Sequence, residues 1–283
     1  MAVFNTYADI SSYVNTVWAD VLFTARENDV MSALVTGFND RTGMAVRTNS
    51  TYGAVTIGAI NERDDLAGQA FTPSTDQTLT PAEYGAQFLL TDQRAESDIF
   101  GVRADMMQEL GAAMGAKVDT DLAALFSSFT CGTVGGTSTI LTWGQFLAAR
   151  SKLVAAYAPQ PYICVLHPNQ YFSLGTAVMP GIAATNSPAI VDEVANRFLV
   201  GQVAGVSIYL DGNVSIASGT ATYGGMFSRN AIAIDWRRAP RIEPERDSSR
   251  RAWELNLSAV YAKGVWRPQF GVCINTVGSA VTG

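Results

Sequence analysis

A chain of 283 residues, 48% hydrophobic and only 16% charged, carries enough apolar side chain for a sizeable core, which excludes global disorder. Its 19 basic residues stand against 25 acidic ones, and a net charge of -6 argues against a protein built to grip phosphate backbones. No apolar run approaches the ~20 residues of a membrane-spanning helix, and no basic, apolar leader follows Met1, so a soluble protein made in a cytoplasm is expected.

In chain order, the first forty residues read as an arm. Thr16 is placed to cap a short helix whose Trp18, Leu22 and Ala25 share a face, and Asn28 stops it. From Gly43 to Leu90 the pattern turns strand-like, with alternation at Val46-Arg47-Thr48 and Ala54-Val55-Thr56-Ile57. A charged turn, Asn61-Glu62-Arg63-Asp64-Asp65, separates two such halves. This predicts a long hairpin with a polar tip, too poor in core to stand alone, which must lie on its own body or on another subunit. Over about residues 94–126, Met107, Leu110, Met114, Val118, Leu122 and Leu125 recur near the ~3.6-residue period of a helix, with Asp105 and Glu109 on the polar side.

Cys131-Gly132 through Gly135-Gly136 marks a boundary. Thr142 and Gln145 fit a capping box that opens a helix through Phe146, Leu153 and Tyr157, ended by Pro159 and Pro161. A buried strand is expected at Tyr162–Leu166, and His167-Pro168 and Ser187-Pro188 each read as helix starts. Further strands are expected at Val206–Leu210 and Ala231–Trp236. Two more follow, one through Trp253, Leu255, Leu257, Ala259 and Tyr261, the other through Phe270, Val272 and Ile274. The mixture is α+β without regular βαβ alternation.

Catalytic and cofactor signatures are missing. His167 is the sole histidine, so no multi-histidine metal site exists, and the dispersed Cys131, Cys164 and Cys273 are expected to be free thiols without zinc spacing. Cys164 and His167 lie three apart, but a helix-capping histidine explains the spacing better than a nucleophilic pair. Neither a GxSxG elbow nor a GxxxxGK[ST] loop occurs, and no cofactor is expected. One constellation stands out: Arg237, Arg238, Arg241, Glu243, Glu245, Arg246, Asp247, Arg250 and Arg251. Interleaved signs and arginine, which forms planar bidentate ion pairs, suit a contact between subunits, with the Glu62, Arg63, Asp64, Asp65 tip as a natural counterpart.

With these pieces in order, the chain resembles the major capsid proteins of tailed bacteriophages, which have the Hong Kong 97-like capsid fold. The resemblance runs through Trp18-Ala19-Asp20-Val21-Leu22, Val165-Leu166-His167-Pro168-Asn169-Gln170-Tyr171, Val200-Gly201-Gln202-Val203-Ala204-Gly205-Val206, Glu243-Pro244-Glu245-Arg246-Asp247 and Arg267-Pro268-Gln269-Phe270-Gly271-Val272. It implies an N-terminal arm over 1–40, an extended hairpin loop over 41–90, a peripheral domain with the spine helix over 91–130 and 230–283, and an axial domain over 131–229. It also implies self-assembly into pentamers and hexamers of an icosahedral shell around double-stranded DNA, and a precursor that expands on maturation. Scaffolding, portal and decoration proteins are the implied partners, with assembly in the host bacterial cytoplasm and residence in the virion, away from membranes. The arm begins almost at Met1, so a separate scaffolding protein is expected in place of an internal one. Some relatives weld the shell through a loop lysine, but Lys117, Lys152 and Lys263 all lie outside the hairpin, so no such weld is expected here. The competing readings are an encapsulin-type nanocompartment of the same fold and a soluble hydrolase using carboxylates alone.

Overall fold

The computed structural model describes residues 29–52, 55–60, 62, 65, 68–70, 72–97, 102–183, 202–217 and 221–278. The arm helix from Thr16 and the helix start at Ser187-Pro188 lie outside these residues, as do Arg63 and Asp64. In chain order the elements are α1 (Met31–Leu34), β1 (Thr36–Phe38), β2 (Arg47–Tyr52), β3 (Pro73–Leu79), β4 (Ala82–Thr91), α2 (Asp92–Glu96) and α3 (Val102–Ala123), which runs into a 3₁₀ turn (Ala124–Ser128). Next come β5 (Thr133–Gly135), α4 (Trp143–Ala155), β6 (Tyr162–Leu166), α5 (Pro168–Ala183), β7 (Gln202–Val203), β8 (Val206–Leu210), β9 (Ile216–Ala217) and β10 (Ala221–Ser228). The chain closes with β11 (Ile232–Asp247), β12 (Ala252–Val265) and β13 (Gly271–Val277).

Two sheets organise two cores. The first sheet has the order β1-β11-β12-β4, with β1 parallel to β11 and the other pairs antiparallel. Along β12, Leu255, Leu257, Ala259 and Tyr261 alternate inward as expected for a half-buried strand and meet the apolar stripe of α3. That stripe is Met106, Leu110, Met114, Val118 and Leu122, continued by Phe126, while Met107 and Leu125 are only half-buried. Positions four apart drift around a 3.6-residue helix, so the two ends of the stripe meet different neighbours. The polar side of the pairing is anchored as well. Tyr261 stacks on Tyr84, centroids 4.4 Å apart, and its hydroxyl donates to Asp121 Oδ2 at 2.8 Å. Burial alone would raise the Asp121 carboxyl, but hydrogen bonds from Lys117, Lys263 and Tyr261 hold it below the usual carboxylate range.

The second sheet follows the path β5-β13-β10-β6-β8-β7, with β9 beside β10. Its core gathers Phe146 and Leu153 of α4, Cys164 and Leu166 of β6, Met226 of β10 and Ile274 of β13. The expected capping box is present: Gln145 N–H donates to Thr142 Oγ1 at 3.4 Å and Thr142 N–H to Gln145 Oε1 at 3.0 Å. The helix stops at Ala155, short of Tyr157. Tyr157 adopts φ 55°, its N–H donating to Val154 O at 3.0 Å while Ala158 N–H donates to Leu153 O at 3.0 Å, the hydrogen-bond pair of a Schellman stop. β6 is buried at every position, as read. His167 caps α5: its carbonyl accepts from Gln170 and Tyr171, and its Nδ1 accepts from Asn169 N–H at 3.1 Å. Burial pushes the Cys164 thiol well up, the reverse of what a nucleophile needs.

β10 joins the two cores and is the strand that periodicity failed to reveal. Its Gly224-Gly225 pair lies mid-strand, with β13 on one side and β6 on the other. The glycines are steric necessities: a Cβ on Gly225 would sit 2.6 Å from the Phe126 ring, and one on Gly224 would sit 2.8 Å from Gln170 Oε1. Gln170, fully buried, donates through Nε2 to Thr222 O at 3.0 Å and Thr276 Oγ1 at 2.8 Å, which locks α5 onto β10 and β13. Phe227 points the other way and packs with Phe126 and Phe129 beneath α3.

Candidate subunit interface

The expected hairpin forms at its base and changes character at its tip. β2 and β3 pair antiparallel from Arg47–Leu79 to Tyr52–Pro73, apart from the other sheets. Leu79 anchors it, buried with Ala233 and Ala262. Beyond Tyr52 the strand expectation for Val55-Thr56-Ile57 fails. The described residues 55–60 form no ladder, and side chain replaces backbone pairing: Gln69 Oε1 accepts from Thr56 N–H at 2.9 Å and its Nε2 donates to Thr56 O at 2.5 Å. Val55, Ile57 and Ile60 are exposed, Ile57 at 95% of its surface, and Glu62 and Asp65 are exposed beside them. Apolar side chains held this far from a core are what a contact surface looks like.

The arginine-rich segment is a strand, not a loop. β11 runs sixteen residues to Asp247, far past the expected end at Trp236, and turns into β12. Pro240 and Pro244 both lie within this span. β1 covers β11 only at Ala233–Asp235, so the prolines sit where an outward N–H has no strand partner among the described residues, and the register shifts between Trp236 and Arg241 absorb the rest. The turn is held by Asp247, whose Oδ1 accepts from Ser249 N–H at 2.9 Å, Ser249 Oγ at 2.6 Å and Arg250 N–H at 3.2 Å. The Ser249 hydroxyl and the Arg250 amide draw the carboxyl below its usual range, against the small effect of burial.

Most of these charges are matched within the chain. Arg246 grips Asp92 with two parallel bonds of 2.8 and 2.7 Å and lies 5.6 Å from the Trp253 ring centroid, pinning the end of the long hairpin to α2. Arg250 reaches Glu254 at 3.2 Å and Asp247 at 3.4 Å, and Arg238 pairs with Glu83. Arg237 departs from the expected belt altogether. Its side chain is buried, and Nη2 lies 2.9 Å from both Asp235 Oδ2 and Ala45 O, so it serves the inside of the chain. Arg241, Glu243, Glu245 and Arg251 remain exposed, with only Arg241 and Glu243 in a loose 3.4 Å pair among the described residues. The hairpin base lies by Ala233 and Ala262, and the turn lies at the opposite end of β11, roughly 50 Å of strand away at ~3.3 Å per residue.

A family model described as phage capsid protein matches residues 74–274, well over half of the chain. No curated protein matches its sequence. Among solved structures, the cyanophage Pam1 capsid asymmetric unit superposes with TM-score 0.71 at 9% identity, covering 99% of this chain and 100% of that one. The capsid of Ralstonia phage GP4 gives TM-score 0.69 at 11% identity over 94% and 96%, and a structure of Mycobacterium phage Che8 gives 0.69 at 17% over 91% and 95%. Identities this low speak for the fold alone. The family model speaks for more, and on its span of α3, both sheets and the long β11–β12 hairpin, the chain belongs to the phage capsid protein family.

Proposed function

We propose that this chain is the major capsid protein that builds the icosahedral head shell of a tailed phage, as pentamers and hexamers around double-stranded DNA. The observation that carries the reading is the hairpin. Val55, Ile57 and Ile60 stand exposed on a segment without a core, and a second copy is the natural surface to cover them. In this reading the core around α3 is the peripheral unit and the core around the second sheet the axial unit. A separate scaffolding protein guides assembly in the bacterial cytoplasm, a portal and decoration proteins complete the head, and the finished chain resides in the virion. Its work is mechanical, not catalytic. Packing DNA expands a rounded precursor, which requires interfaces with two arrangements of similar free energy. A net charge of -6 lets the shell enclose DNA without gripping it.

Electron microscopy of the purified chain, with its scaffold supplied, should show closed shells. A compact 30 kDa particle under every condition would overturn the proposal. Reversing exposed charge at Arg241 and Arg251 should raise the protein concentration needed for assembly about fivefold, the effect of losing ~1 kcal/mol of exposed pairing, with thermal unfolding unchanged. Equal assembly of the variant and the parent would remove these residues from the interface. Because Lys117, Lys152 and Lys263 all lie outside the hairpin, mature shells boiled in detergent should run as monomers, and a ladder of linked copies would contradict that.

A further inference from the structure

The root of the β2–β3 hairpin is a knob seated in a hollow. Ala233 of β11 pairs directly with Gly264 of β12, and Ala262 lies two residues back on the same face. Their neighbours Ile232, Ile234 and Val265 belong to the first core, so the three small residues open on the other face of the sheet. Leu79, the last residue of β3, fills that hollow and is fully buried with Ala233 and Ala262, while Phe38 and Trp266 pack against them. Gly264 leaves no spare volume, since a Cβ there would sit 2.6 Å from Leu79 Cδ2. Polar bonds flank the knob: Asn49 Nδ2 donates to Trp266 O at 2.8 Å, and Arg47, the ladder partner of Leu79, donates to Asp235 Oδ2.

These anchors all fall in the first three ladder pairs, Arg47–Leu79, Thr48–Thr78 and Asn49–Gln77, and the register shifts at the next step, between Asn49 and Ser50. A foot from Arg47 to Asn49, roughly 7 Å at ~3.3 Å per residue, therefore aims a segment whose exposed Val55, Ile57 and Ile60 lie farther out. Such a foot is the short arm of a lever. A displacement of ~1 Å across it swings Tyr52, roughly 17 Å from Arg47, by about 2–3 Å, and the tip by more. A methyl at Gly264 demands a shift of nearly that size, because ordinary contact begins near 3.4 Å and a fully buried leucine has little room to turn.

We infer that the Leu79 socket, closed by Gly264, is the positioning site that aims the hairpin and so decides where it meets the neighbouring copy; the inference rests on the shell reading above. Spin labels on Ile57→Cys and Glu243→Cys, with Cys131→Ser removing the half-buried thiol, give the distance from tip to first sheet in the unassembled chain. The parent should show one sharp distance. Gly264→Ala should move it by at least ~2 Å and cut the shell yield of the unlabelled chain about fivefold; adding Leu79→Val, which takes one carbon from the knob, should restore both. Ile274→Val, a comparable loss in the second core, should change neither. An unmoved distance in Gly264→Ala, a broad one in the parent, or normal shells despite a moved distance would each overturn the proposal. Should Gly264→Ala fail to fold, Leu79→Val alone should broaden the distance, and a distance that stays sharp overturns it equally. If the parent builds no shell, the shell reading falls, and the distances still decide whether the socket aims the hairpin.

Discussion

Asp235→Ala is expected to cost about 3–5 kcal/mol of folding stability, the loss typical of stranding one partner of a buried ion pair. Asp235 Oδ2 accepts from Arg47 Nε at 2.8 Å and lies 2.9 Å from Arg237 Nη2, and the Asp235 and Arg237 side chains are 0% and 1% exposed. Arg237 already holds Nε and Nη1 without hydrogen-bond partners, so removing the carboxylate leaves a guanidinium buried with only the Ala45 carbonyl. Burial alone would pull the Arg47 guanidinium toward losing its proton, and its bonds to Asp235 and Asp40 more than reverse that. Against a total stability of ~5–15 kcal/mol for a typical domain, the change takes a large share. Urea unfolding should show the midpoint fall with little change of slope, and Asp235→Asn, which keeps an acceptor, should fall between. A loss under about 1 kcal/mol would mean the arginines find other partners. Because Arg47 opens β2, the same variant should also loosen the base of the hairpin and impair assembly.

Phe126→Ala should cost a similar ~3–5 kcal/mol, from lost transfer energy and the cavity left behind. Phe126 is fully buried at the meeting point of the spine and the second sheet, with Phe227 at 5.7 Å and Phe129 at 6.0 Å between centroids. Its ring occupies the space that a side chain at Gly225 would need. Gly225→Ala alone should therefore destabilise by overpacking, roughly 1–3 kcal/mol. The double variant should lose less than the two single losses added together, because the new methyl enters the vacated volume. Calorimetry decides the matter, and strict additivity would mean the two positions do not share that space.

Local chemistry was legible wherever one short-range rule governed. The Thr142–Gln145 box, the His167 cap, the uniformly apolar β6 and the alternation of β12 each follow from residues within a few positions of one another. What stayed hidden was decided by distant partners. Gly224-Gly225 is a strand only because Phe126 and Gln170 press on it from its two faces, and neither is near in sequence. Pro240 and Pro244 are tolerated because β1 stops at Asp235 and leaves that edge of β11 open. Val55-Thr56-Ile57 alternates like a strand, yet Gln69 holds it without a ladder. Charge spacing grouped residues that the fold divides: Arg237 faces inward to Asp235 while Arg241 is exposed, with the register shifting between them.

β13 has a consequence for how each copy is made. It follows β12 of the first sheet, yet it sits inside the second, with β10 on one side and β5 on the other. Residues 271–277 are synthesised after every other strand described here, so the second sheet cannot close while the chain is still growing through β12. A product released early would leave β5 without its neighbour and β10 with a bare edge. A copy truncated before Gly271 is therefore expected to leave the second sheet open and its core exposed.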